Sequence, residues 1–120
     1  MIKNNPRYLL CLPEIADYEL RRKLYHIAMK HNQLSSNSLK RLDEYHSILQ
    51  YLPIETATMK LAAQLWAESR LKGEPTAEAT ALDGDVILAA QAKLCDGIVL
   101  TTNKRHLSRF VPVADWESYQ

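Results

Sequence analysis

At 120 residues the chain is long enough for one hydrophobic core and too short for two independent ones, so it reads as a single domain over 1–120. A formal net charge of +1 excludes a protein that coats nucleic acid or a membrane through bulk charge, and any basic patch must be local. No apolar run approaches the roughly 20 residues of a membrane helix, and the opening Met1-Ile2-Lys3-Asn4-Asn5-Pro6 lacks the apolar stretch of a secretory signal, which predicts a cytoplasmic protein without membrane contact.

The run Tyr8-Leu9-Leu10-Cys11-Leu12, closed by Pro13, predicts a strand buried on both faces. A helix follows from Glu14 to about Lys30, with Ala16, Leu20, Leu24, Ile27 and Ala28 as its apolar stripe and Pro13 at its first turn. His31-Asn32-Gln33 ends it. Ser35-Ser36-Asn37 offers caps for a second helix, whose stripe Leu39, Leu42, Tyr45, Leu49 and Leu52 runs almost to Pro53. Leu52-Pro53-Ile54 predicts a brief edge strand, since proline cannot donate to a central ladder.

Thr56 or Thr58 caps a third helix with Met59, Ala62, Ala63 and Trp66 inward, stopped by Gly73 and Pro75, and residues 74–81 read as loop. Next come a buried helix opened by Asp83 and Asp85, a strand Ile98-Val99-Leu100-Thr101, a short helix around Lys104 to Arg109, and an extended stretch from Phe110 to Val113. Strands alternating with helices predict an α/β fold with a parallel sheet covered on both faces.

Cys11 and Cys95 stand far apart within apolar segments and read as buried free thiols. His26 and His31 are five apart on one helix and do not share a face, so zinc is not predicted. In a parallel α/β sheet, ligands gather at the carboxyl ends of the strands. That rule selects Glu19, the pair Asp83 and Asp85, and Thr101-Thr102-Asn103. These are acids and small polar groups with no arranged nucleophile and no glycine-rich phosphate loop, and hard oxygen donors suit Mg²⁺ or Mn²⁺.

Each piece also has a purely structural reading. Asp83 and Asp85 suit a helix start, where a cap or a charge facing the macrodipole contributes about 1 kcal/mol or less. Glu19 precedes Arg22 and Lys23 at helical pairing distance, and Thr101 and Asn103 suit a cap. Arg21-Arg22-Lys23 and Lys104-Arg105-His106 with Arg109 are either phosphate contacts or solvated faces; the second run is favoured for phosphate because it adjoins the acids. Trp66, Trp116 and the tyrosines read as core or interface residues.

Taken in order, "CLPEIADYELRRKL", "LDGDVILAAQA" and "DGIVLTTNKRHLSRF" resemble a PIN domain, in particular the VapC-type toxins of bacterial toxin-antitoxin pairs, from about Tyr8 to Trp116. The resemblance implies a three-layer parallel sheet flanked by helices. It further implies a ribonuclease dependent on Mg²⁺ or Mn²⁺, an RNA substrate, a cognate antitoxin and a possible homodimer. Glu19 and Asp85 match the family's metal-holding acids, Asn103 and Thr101 match polar positions beside them, and Lys104, Arg105 and Arg109 adjoin them as phosphate contacts. Asp83 is an extra acid, supporting or capping.

The family's opening strand, which ends in a further metal-holding aspartate, has no counterpart before Tyr8. The expectation is therefore a PIN-like domain truncated at its N-terminus with the central first strand missing: a start internal to a longer gene, a remnant, or a fold completed by another chain. Two carboxylates hold Mg²⁺ weakly, which predicts impaired or absent activity for this chain. The competing class is a catalytically dead module that binds a partner; a plain α/β domain whose acids are caps is the third.

Overall fold

Pro13 marks the boundary between the first two elements, because its fixed φ suits a helix start and its missing N–H is not needed there. The computed structural model describes residues 9–32, 37–72, 79–100, 107–108 and 110–114. They fall into two compact units, Leu9–Pro53 and the chain from Ile54 onward.

In the first unit, β1 (Cys11–Pro13) runs directly into α1 (Glu14–Lys30), followed by α2 (Asn37–Ile48) and β2 (Gln50–Leu52). β1 and β2 are parallel, with Cys11 opposite Gln50 and Pro13 opposite Leu52. The two helices form the crossover that parallel strands require. The first strand is shorter than expected and is not buried on both faces: Leu9 and Leu10 precede it and are exposed. The second starts two residues before the expected Leu52, because the Gln50 N–H donates to the Leu10 carbonyl at 3.2 Å. That bond ends α2 early, so Leu49 and Leu52 leave the helical stripe, and Tyr45 is exposed while Leu39 and Leu42 are buried.

Helix α1 has the expected bounds and a different buried face. Leu20 and Ile27 are exposed, while Ile15, Asp17 and Ala28 are buried. An ion pair explains the rotation: Asp17, only 7% exposed, is held by Arg21 one turn later. Past the end of α1, Asn32 takes a positive φ of 56°, a conformation asparagine tolerates better than most residues.

In the second unit, α3 (Thr56–Leu71) packs on α4 (Ala79–Leu94), followed by the parallel pair β3 (Val99–Leu100) and β4 (Val113–Ala114). Among the described residues each unit holds one two-stranded parallel sheet. Thr58 is not the cap of α3; it sits in the first turn and its Oγ1 accepts the Glu55 N–H at 3.2 Å. The buried face of α3 is Thr58, Ala62, Leu65 and Ser69, so Met59, Ala63 and Trp66 point outward, contrary to the expected stripe. Against that face lie Val86, Ala89, Ala90 and Ala92 of α4, with Val99, Leu107 and Val111 completing the core. Small alanines on both helices let the backbones approach closely.

Helix α4 begins at Ala79, so residues 79–81, expected as loop, are helical, and Asp83 and Asp85 stand inside the helix rather than at its mouth; residues 74–78 of the expected loop lie outside the described residues. Cys95 is exposed rather than buried, and both cysteines are free. After α4, Asp96 adopts a φ of 54° and the Gly97 N–H reaches back to the Ala92 carbonyl at 2.8 Å, a paired helix end. The expected helix around Lys104 to Arg109 lies largely outside the described residues. No helix among those described is long and apolar enough to cross a membrane.

Tyr51 of β2 stacks on His46, with ring centroids 3.9 Å apart. Burial raises its phenol pKa first, followed by the negative charges of Glu14 and Asp17 and a hydrogen bond with Glu14. The folded state thus favours the neutral phenol. Its contribution is fully present below the unfolded value of about 10 and is lost as pH rises through the raised folded value. Urea midpoints measured from about pH 9 to 11 should therefore fall more steeply for the native sequence than for Tyr51→Phe; parallel profiles would refute the assignment.

Candidate active site

The first turns of α1, which follow the carboxyl end of β1, share a cluster of charged groups with α2. Arg21 donates to both Asp17 oxygens, from Nη2 at 3.0 Å and Nε at 3.4 Å, and through Nη1 to Asp43 of α2 at 2.8 Å. These hydrogen bonds, first with Asp17 and then with Asp43, push the guanidinium pKa above its ordinary value, so Arg21 stays charged. The cluster ties α1 to α2 and fixes the rotation of α1. Sequence reasoning took Arg21 with its neighbours as one basic run and passed over Asp17; the signal was the four-residue spacing from Asp17 to Arg21, a helical pairing.

Glu19 stands on the other side of α1. At about 100° per residue it lies roughly 180° from the midpoint of Asp17 and Arg21. Its side chain is 40% exposed, and its ion pair with Arg22 is a loose one, 3.7 Å from Nη2. At that distance the contact is electrostatic and not a hydrogen bond. The carboxylate oxygens thus remain accessible to a cation.

Asp85 and Asp83 differ sharply in setting. Asp85 precedes Ala89 by four residues and Ala92 by seven, so it extends the buried stripe of α4 toward the helix start; it is half-buried and has interactions of its own. Asp83 is exposed. A carboxylate in line with a core stripe is held in place by packing, whereas one on the outer face is free to move. Asp83 lies a full turn inside α4, which removes its expected capping role.

Glu19 belongs to the first unit and Asp85 to the second. Thr101, Asn103, Lys104, Arg105 and Arg109 lie outside the described residues. Among the described residues no group of three or more His, Cys, Asp or Glu side chains forms a metal cluster. The donor chemistry nevertheless fits a hard cation: both candidates are carboxylates, and oxygen donors are what Mg²⁺ and Mn²⁺ take.

A family model described as "PIN domain" matches residues 2–111, most of the chain and both acids. The chain belongs to the PIN-domain family. Solved structures agree in fold. DNA-bound VapBC from Salmonella typhimurium matches with a TM-score of 0.65 at 23% identity, over 88% of this chain and 74% of that one. VapBC2 from Rickettsia felis, bound to a DNA fragment from its promoter, matches with a TM-score of 0.66 at 15% identity, over 96% and 79%. No curated protein matches significantly. The parallel strand pairs and covering helices of this PIN-domain chain are thus the α/β PIN fold that the three sequence motifs imply.

Proposed function

We propose that the chain is a VapC-type PIN protein whose chemistry is hydrolysis of RNA phosphodiester bonds assisted by Mg²⁺ or Mn²⁺. The observation that carries this reading is the contrast within α4: Asp85 is fixed in line with the buried stripe while Asp83 is exposed, inside a family match that also spans Glu19. In this reading Glu19 and Asp85 hold the cation through carboxylate oxygens. Thr101 and Asn103 orient a water or a phosphate oxygen, and Lys104, Arg105 and Arg109 contact flanking phosphates. The cation, when bound, lowers the pKa of a coordinated water and stabilises the charge that develops on the phosphate. With two carboxylates as its protein ligands, Mg²⁺ keeps most of its water and is held weakly, so activity should be low and should climb with metal concentration.

Glu19→Gln and Asp85→Asn should each lower cleavage of a single-stranded RNA by about 100-fold or more, with little change in folding. Both should also abolish the rise in melting temperature that Mn²⁺ gives the native sequence, since binding to the folded state stabilises it. Cleavage that survives both substitutions, or that continues in EDTA, would overturn the reading.

A second role follows from the solved neighbours, which are VapBC complexes. The chain is a partner for a cognate antitoxin, and a second copy of the chain is a further candidate partner. Such binding should be insensitive to Asp85→Asn. If that complex forms while cleavage is absent at every metal concentration, the chain is a binding module rather than a nuclease.

A further inference from the structure

The ion cluster of the first unit divides the basic run Arg21-Arg22-Lys23. Arg21 is turned inward onto Asp17 and Asp43, whereas Arg22 and Lys23 face solvent. With the rotation of α1 fixed in this way, the exposed side of the helix brings Glu19, Arg22, Lys23, His26 and Lys30 within an arc of roughly 100°. All four nitrogen-bearing side chains are exposed. From Arg22 to Lys30 the stripe extends about 12 Å along the axis, room for roughly two or three phosphates of an extended strand.

Beside the stripe stand two exposed tyrosines, Tyr18 and Tyr25, seven residues apart and so on one face. Arg22 lies between them, its guanidinium carbon 5.2 Å from the centre of the Tyr18 ring. The guanidinium is therefore within cation–π range of an aromatic ring while its side chain stays exposed, with Glu19 at 3.7 Å as a loose neighbour. Cations in a row along one edge, with aromatic faces along the other, fit a single strand, whose phosphates pair with the cations and whose bases stack on the rings. An acidic protein segment would satisfy the cations but would gain nothing specific from two rings placed to stack planar groups.

We propose that this face of α1 is the track for single-stranded RNA, with Arg22 and Lys23 meeting phosphate at one end and Lys30 at the other, His26 donating a ring N–H between them, and Tyr18 and Tyr25 stacking bases. The track rests on the nuclease reading above and deepens it: Glu19 sits at one end of the stripe, so the strand enters the candidate site along α1.

The test is binding of a labelled single-stranded RNA in EDTA, where no cleavage occurs, across a series of salt concentrations. Lys23→Ala combined with Lys30→Ala should weaken binding about tenfold and lower the salt slope by about 1.4, near 0.7 for each phosphate lost. Tyr25→Ala should weaken it about tenfold with the slope unchanged, since stacking releases no counterions. Lys60→Ala, an exposed lysine on α3, should change nothing. Equal affinity and slope for the Lys23/Lys30 variant, or an equal loss in Lys60→Ala, overturns the track. So does competition by poly-glutamate as strong as by RNA, with no effect of Tyr25→Ala, which would make the face an acceptor of acidic protein. Metal-dependent cleavage that still needs Glu19 and Asp85 would, in those cases, leave the nuclease reading standing without this track.

Discussion

Removing the Asp17 carboxylate is expected to destabilise the fold by about 3 kcal/mol. Asp17→Ala leaves the Arg21 guanidinium partly buried with one partner, Asp43, which is itself mostly exposed. Breaking a buried pair by deleting one member costs about 3–5 kcal/mol, because the survivor keeps its desolvation without its compensation. The remaining bond to Asp43 at 2.8 Å moves the expectation to the lower end. Replacing both partners, Asp17→Leu with Arg21→Met, should cost less than Asp17→Ala alone, since no uncompensated charge is left inside. Urea denaturation of the three variants decides this. A single variant within about 0.5 kcal/mol of the native protein would mean that the cluster contributes nothing and does not set the rotation of α1.

That cluster also explains what the sequence hid. The bounds of α1 were legible because Pro13 and the His31-Asn32 end are local signals, and the ladder and the helix both obey them. Its buried face was not, because counting apolar residues assigns Leu20 and Ile27 inward and has no place for an aspartate whose partner makes burial tolerable. The same blindness shifted α3: Thr58 and Ser69 belong to the buried face and Trp66 does not, although Trp66 is the more hydrophobic residue. Helix α4 begins at Ala79, ahead of the expected start, because Asp83 and Asp85 have the chemistry of a helix opening and set the boundary too late; Gly84 is buried within the helix. For the candidate site, the types and order of the acids are legible in the sequence, and the resemblance to the PIN family singles out Asp85 over Asp83. What separates the two acids physically is burial along α4, which only the packed helix reveals.

The shift in α3 supplies the second large prediction. Leu65 is 5% exposed and sits in the core formed with α4, whereas its neighbour Trp66 is 37% exposed, with the Arg70 guanidinium 5.6 Å from its ring centre. Leu65→Ala should cost about 2–5 kcal/mol, the transfer of the lost carbons plus the cavity they leave. Trp66→Ala should cost about 1 kcal/mol, mostly the ring's contact with Arg70. A stripe read from sequence predicts the reverse order, so the ranking of two adjacent residues tests which face is the core. Leu65 and Asp17 also lie in different units. If the chain is one cooperative domain, as its length argues, Leu65→Ala and Asp17→Ala must both lower the same calorimetric transition. Two transitions, each moved by only one of the substitutions, would show instead that the Leu9–Pro53 unit and the helix pair fold independently, each stable on its own core.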